Sequence, residues 1–445
     1  MSGQSQYRSL YTKDDWWAVW IGLAILVLSV PSFTGVLPLG WVPVATSWTN
    51  VSAALSTKWG NPWAGLLALY LFILLVLSPF MKIAGLRLLD WVKGFTAIFA
   101  IGWVVWIGAN YAPIVAAMGS SEVGYIFALI VGIAIANFAK EPGWLKGSAK
   151  GDFFIKVAIV LLGAKILLTT FATTALPILG AVFLSFPVVW LVGFFASKRA
   201  GLDRNLSATL SSGVGVCGVS ASIATASAIE APPLYATMMS SIIILFSAVE
   251  IVVMPAVSAF FFGNNPTAAG VWMGLSVKTD GAASASGSVV DGLLKANGSA
   301  LSAAVSTKVM IDIWIGLIAF ILSSVWIARG YLKPSQGGQE HGARLIWYKF
   351  PKFVLGYFAT SIVVSLIAFG YPTVAQGAKA VAPITSAGTD PFRVAFFIFT
   401  FLAIGLNTRF SDFRQVGIGK PALVYALCLC FAIVWGGIVS YMVFG

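Results

Sequence analysis

Charge is what this sequence has least of. Only 9% of its 445 residues are Asp, Glu, Lys or Arg. It holds one histidine, His341, and three cysteines, Cys217, Cys428 and Cys430. The lone imidazole lies in a polar stretch, which excludes a buried histidine relay and any HExxH zinc site. The cysteines stand in apolar surroundings, show no metal-ligand spacing and suggest no disulfide framework. No GxxxxGK[ST] occurs, so ATP-driven transport by this chain is not expected. No nucleophile–base pair is visible, and the expectation is no enzyme activity, no metal and no cofactor beyond a coupling H+ or Na+. The opening residues MSGQSQYRSLYTKDD lack the pattern of a cleaved signal peptide. The apolar run from Trp16 is therefore expected to stay as a membrane helix.

Apolar residues are abundant instead. They make up 59% of the chain, against roughly 45–50% in soluble domains, and mean hydropathy is +0.92. The apolar runs are continuous over about 17–25 residues, the length of a spanning helix, where a β-barrel would alternate. The fold class is an all-α polytopic membrane protein. Thirteen spans are expected: 16–37, 63–80, 94–115, 123–139, 153–171, 174–197, a broken one at 205–230, 234–262, a second broken one at 267–292, 300–328, 351–370, 391–407 and 420–444.

Net charge is +12. In a spanning protein this reflects Lys and Arg collecting in cytoplasmic loops, so the expected partners are lipid and not nucleic acid. The basic clusters fall on one side if the N-terminus is cytoplasmic and both broken segments cross. Pro38–Pro62, Gly119–Val123 and Tyr371–Asp390, nearly free of Lys and Arg, then lie outside. Pro38–Pro62 carries Trp41, Trp48 and Trp59, with Trp63 just beyond, and reads as interfacial or partly re-entrant. The polar linker at 329–346 separates a long N-terminal part from three final helices. An added N-terminal region over 1–118 and a transporter core over 119–445 are expected. A homo-oligomer is left open.

Two stretches depart from ordinary spanning helices. From Ser211 to Ala228, 13 of 18 residues are Gly, Ala, Ser or Thr. Each glycine lowers helix stability by about 1 kcal/mol relative to Ala, so Gly213, Gly215 and Gly218 mark a break. Irregular backbone at membrane depth is tolerated only when buried in protein or lining a wet cavity. A half-helix N-terminus there offers N–H groups to an anion. The competing reading is close helix packing through small residues. From Ser276 to Gly292, 11 of 17 residues are again Gly, Ala, Ser or Thr, and Lys278, Asp280 and Asp291 are embedded among them. Charges at that depth cost about 2.5–3.5 kcal/mol each on insertion scales and face a wet path or each other. Two interrupted segments of this kind point to a transporter site near the bilayer midplane.

Other charges sit within apolar runs. Lys308 and Asp312 are four apart and are expected to pair along one helix face. Lys156, one turn inside a span, is expected to snorkel. Lys165 has no acidic neighbour in sequence and is a candidate for attracting an anion. Glu250 is isolated, and is either protonatable or meets a lysine of another helix. LLGAKILLTTFATTALPILGAVFL (161–184) and AIGLNTRFSDFRQVGIGKPALVYAL (403–427) echo each other weakly, as inverted repeats would.

GLDRNLSATLSSGVGVCGVSASIATASAIEA (201–231), VAIVLLGAKILLTTF (157–171), the Ser276–Lys308 region ending in TKVMID, and FLAIGLNTRFSDFRQVGIGKPALVYAL (401–427) resemble the YeiH-type sulfate exporter family of bacterial membrane proteins. The resemblance covers about Tyr125 to the C-terminus. Members of that family carry a His–Glu pair where this chain has Lys278 and Thr279, followed by Asp280. A permanent cation thus stands in place of a titratable imidazole. The resemblance implies a fold similar to the sodium/proton antiporter and bile-acid symporter group, with inverted repeats and two discontinuous crossing helices.

The leading expectation is a secondary transporter of a small anion, with sulfate, sulfite or an organosulfonate as the cargo, in the bacterial cytoplasmic (inner) membrane. Its expected binding residues are Gly215, Cys217, Gly218, Val219, Ser220, Ser222, Ser276, Lys278, Thr279, Asp280 and Lys165. Glu250, Lys308 and Asp312 are expected to couple or pair. The alternative is a cation/proton antiporter using the intramembrane carboxylates.

Overall fold

The structure is a computed structural model describing residues 14–118, 124–139, 142–296, 298–331, 347, 350–409 and 419–445. In chain order its helices are α1 (Asp14–Ser29), α2 (Pro62–Ile83), α3 (Leu88–Ala109), α4 (Ala112–Met118), α5 (Gly124–Phe138), α6 (Gly143–Ser148), α7 (Gly151–Gly163), α8 (Leu168–Arg199), α9 (Arg204–Gly215), α10 (Val219–Ala228), α11 (Pro233–Phe261), α12 (Pro266–Ser276), α13 (Asp280–Leu293), α14 (Ser299–Ala328), α15 (Phe353–Ala368), α16 (Val374–Pro383), α17 (Asp390–Leu406) and α18 (Gly419–Phe444). A π-helical turn, Ile384–Thr389, joins α16 to α17. Several starts follow from local sequence. Asn61 accepts the Trp63 N–H at 2.9 Å ahead of Pro62. Asn265 does the same for Ala268 at 3.1 Å ahead of Pro266. Such caps are worth about 1 kcal/mol each.

Among the described residues, 8 helices are long and apolar enough to cross a membrane. Thirteen crossings are not reached by that measure, because several expected spans are assembled from shorter pieces. His341 and most of the polar linker fall outside the described residues, as does Gly119–Val123.

Two compact units emerge from the packing. The first joins Met1–Thr173 to Lys352–Thr408, and the second joins Thr174–Pro351 to Arg409–Gly445. This criterion is different from the sequence division at 118.

In the first unit the structure corrects three local expectations. The span expected at 153–171 stops at Gly163, and helix resumes at Leu168 to run on through Arg199. The gap is held by hydroxyls of α15: Ser361 Oγ donates to the Ile166 carbonyl, Thr360 Oγ1 to the Val160 carbonyl at 2.7 Å, and Ser365 Oγ accepts the Leu168 N–H at 2.8 Å. Second, Tyr371–Asp390 is not a loop. Val374–Leu406 is one 33-residue helical stretch, because Val381 and Ile384 join Leu26, Ala164, Val364 and Ala368 in a core cluster. Gln376 and Lys379 lie on its exposed face. Third, Lys156 does not snorkel. Its ammonium contacts Asp14 at 2.7 Å, Asp15 at 2.9 Å and Asp152 at 3.0 Å. Pro38–Pro62 folds as a small hairpin of β1 (Val44–Ala45) and β2 (Leu55–Ser56). Trp48 Nε1 donates to the Ile107 carbonyl at 2.7 Å and Trp59 Nε1 to that of Leu37 at 2.9 Å.

The second unit is built around interrupted helices. Leu206, Leu210 and Val214 recur every four residues on α9, the spacing of one helix face. They pack on Met238, Met239, Ile242 and Ile243 of α11 and on Val424, Tyr425, Cys428 and Leu429 of α18. Helices α12 and α13 press on α14 through glycines. A Cβ on Gly274 would lie 2.5 Å from Thr307 Cβ, and one on Gly287 would lie 2.6 Å from Ala304 Cβ. Small residues therefore do serve close packing here, alongside the breaks described next.

Candidate functional site

The first break is Val216–Gly218, between α9 and α10. It is narrower than the glycine pattern suggests, for Gly213 and Gly215 are still helical. Gly218 makes the turn. Its φ is +73°, and a Cβ there would lie 2.8 Å from the Lys278 carbonyl oxygen. Conformation and space both demand glycine. The second break is Val277–Thr279, between α12 and α13. Thr279 Oγ1 accepts the Ala282 N–H at 3.2 Å and caps the new helix.

The two breaks meet. Lys308, carried by the unbroken α14, sends its ammonium out of its own helix. It donates to the Val277 carbonyl at 2.7 Å and to the Val216 carbonyl at 3.3 Å. One carbonyl from each break thus accepts from the same ammonium. Lys278 is turned inward as well. Its Nζ donates to the Leu275 carbonyl at 2.8 Å, and its backbone N–H donates to Glu250 Oε2 at 3.2 Å. Glu250 thus meets the second break and is not isolated. Both lysines are 1% exposed.

Cys217, Asp280 and Asp312 complete the cluster. The thiol sulfur and one oxygen of each carboxylate lie within 4.8 Å of one another, all in buried residues. Formal charges are three carboxylates (Glu250, Asp280, Asp312) against two ammonium groups (Lys278, Lys308), a net of −1. Burial at this depth makes that imbalance costly unless a cation or proton offsets it.

The remaining expected site residues divide by environment. Gly215, Cys217, Gly218, Ser222, Ser276, Lys278 and Asp280 are buried. Val219, Ser220 and Thr279 are half-buried. The N-terminus of α10 carries no side-chain cap, which leaves its N–H groups for another acceptor. Ser222 Oγ donates to the Thr209 carbonyl at 3.1 Å and so supports the bend. Ser276 Oγ makes no hydrogen bond among the described residues. Asp291 accepts the N–H groups of Gly298 at 2.5 Å and Ala300 at 2.9 Å and starts α14. Lys165 belongs to the first unit, in the gap between α7 and α8. Its ammonium lies 3.2 Å from Asp390, which also takes Arg393 Nε at 2.5 Å.

Sequence reasoning missed the two carbonyls that Lys308 joins, which lie 92 and 31 residues away in sequence. It also missed the grouping of Cys217 with two aspartates. The Gly163–x–Lys165 turn in the 161–184 echo was legible, and the gap at 164–167 falls on it.

Fold and site together define a polytopic helical membrane protein whose second unit is organised on two interrupted helices. The chain belongs to the family described as conserved hypothetical protein 698, which matches residues 93–425, in keeping with the resemblance drawn from its motifs. A UPF0324 membrane protein of Nitrosomonas europaea is 33% identical, over 95% of this chain and 93% of its own. Another from Rhodopirellula baltica is 29% identical, over 86% of this chain and 68% of its own. Among solved structures, the sodium proton antiporter MjNhaP1 of Methanocaldococcus jannaschii aligns over 79% of this chain and 99% of its own, at 14% identity and a TM-score of 0.22. A score that low carries no argument.

Proposed function

We propose that this protein is a secondary active transporter, not an enzyme, that moves a small anion across the bacterial cytoplasmic membrane. Sulfate, sulfite and organosulfonates are the cargo class. The observation that carries the reading is the junction of the two breaks at Lys308, with uncapped backbone at α10. Interrupted helices that meet in this way expose backbone groups to a cargo while keeping them out of lipid. The anion would take N–H groups at the start of α10 and the hydroxyls of Ser220 and Thr279, with Lys278 adding positive charge. Alternating access follows from movement of helices around that point, and a proton or sodium gradient supplies the drive.

A second reading, cation/proton exchange, is favoured by the Cys217–Asp280–Asp312 donor set. One experiment separates the two. Tracer flux is measured in proteoliposomes against a panel of anions, with and without a pH or sodium gradient, for the wild type, Lys278→Ala and Asp280→Asn. Anion cargo predicts competition among anions and loss of flux in Lys278→Ala. Cation exchange predicts no effect of anions, loss in Asp280→Asn and tolerance of Lys278→Ala.

A further inference from the structure

Lys308 occupies an unusual position. Val216 and Val277 are the capping residues immediately after α9 and α12, so each carbonyl stands at the negative end of a half-helix, which is equivalent to roughly half a charge. Unwound carbonyls and half-helix C-termini are the groups that coordinate alkali cations in transporters built on broken helices. Here those carbonyls accept from an ammonium at 2.7 and 3.3 Å. The carboxylates of Asp280 and Asp312 stand with Cys217 in the same cluster, and Cys217 directly follows Val216, whose carbonyl accepts from Lys308. An oxygen-rich, net-negative, buried place has thus been filled by the protein's own side chain.

We propose that the Lys308 ammonium is a tethered replacement for an alkali cation: it fills the place where the two breaks meet, so the protein binds no sodium there and its transport is independent of sodium. This deepens the transporter reading by narrowing its coupling ion to the proton, although the binding claim stands without that reading. Lys308 acts as a positioning residue, holding both bends in register from α14. A neutral residue at 308 leaves two helix-end carbonyls and a larger excess of carboxylate facing one another. That is a site a small alkali ion fits.

The test uses the full-length protein in detergent and needs no cargo. Melting temperature is compared in sodium chloride, lithium chloride and choline chloride at equal ionic strength. The wild type is expected to melt alike in all three. Lys308→Ala is expected to melt lower in choline and to regain about 2 °C or more in sodium or lithium. Lys308→Gln, whose amide can still donate to a carbonyl, is expected to respond less than Lys308→Ala. Selective stabilisation of the wild type by sodium or lithium overturns the proposal, and so does a folded Lys308→Ala that ignores both ions. Should that variant not fold, radioactive sodium binding to the wild type decides: no saturable binding upholds the proposal, and saturable binding overturns it. Because neither readout involves an anion, failure of the anion-flux experiment and failure of this one are distinguishable.

Discussion

Gly218 and Lys278 touch across the two breaks. A Cβ on Gly218 would lie 2.8 Å from the Lys278 carbonyl oxygen, at a backbone φ of +73°. Gly218→Ala therefore faces two penalties. Left-handed backbone costs an L-residue about 1–2 kcal/mol, and the contact forces the two bends apart. A clear drop in melting temperature with loss of flux is expected. Gly215→Ala is the control. It is helical, and its Cβ would sit 3.4 Å from Trp190 Cβ, near ordinary contact, so the better helix propensity of Ala, about 1 kcal/mol, should offset any crowding and leave stability nearly unchanged. Equal damage from both substitutions would contradict the account of the bend.

The glycine face between α12 and α14 makes a separate prediction. A Cβ on Gly274 would lie 2.5 Å from Thr307 Cβ and 2.7 Å from the Ala304 carbonyl oxygen. Gly274→Val should destabilise by about 1–3 kcal/mol through overpacking. Gly298 has φ +93° with nothing within 4 Å of a Cβ. Gly298→Ala should therefore show only the conformational cost, about 1–2 kcal/mol. Thermal melts of the two variants side by side check the difference.

In the first unit, Lys156 faces three carboxylates whose exposure differs. Its own side chain is 9% exposed, while Asp15 is 17% and Asp152 is 66% exposed. Water can relieve Asp152 but not Asp15. Lys156→Met should cost about 1–3 kcal/mol, the penalty of a poorly solvated group left without its partner. Adding Asp15→Asn to Lys156→Met should recover part of that loss, whereas adding Asp152→Asn should recover little. A double-mutant cycle measures both.

Hydropathy made most of the helical architecture legible, because continuous apolar runs of spanning length have few other uses. The break at Val216–Gly218 was legible too, since glycine loosens a helix wherever it clusters. Its purpose there was only half legible: Gly218 serves the bend, while Gly274 and Gly287 serve packing, and composition looks the same for both. The partners of charged residues were hidden. Lys156 finds Asp14 from 142 residues away, and Lys308 finds carbonyls, which every residue carries and no sequence pattern marks. Tyr371–Asp390 reads from sequence as an outside connection between two spans, nearly free of Lys and Arg; that scarcity sorts sides of a membrane and says nothing of helix, which Val381 and Ile384 anchor here.

Flux through the second unit is the claim on which the functional account turns. The most direct measurement is uptake of radiolabelled sulfate or sulfite by proteoliposomes under an imposed pH gradient in sodium-free buffer, comparing wild type, Lys278→Ala and Gly218→Ala. The account predicts saturable uptake by the wild type, competed by other small oxyanions and lost in both variants. No competition by any anion, together with full activity in Lys278→Ala, would contradict it.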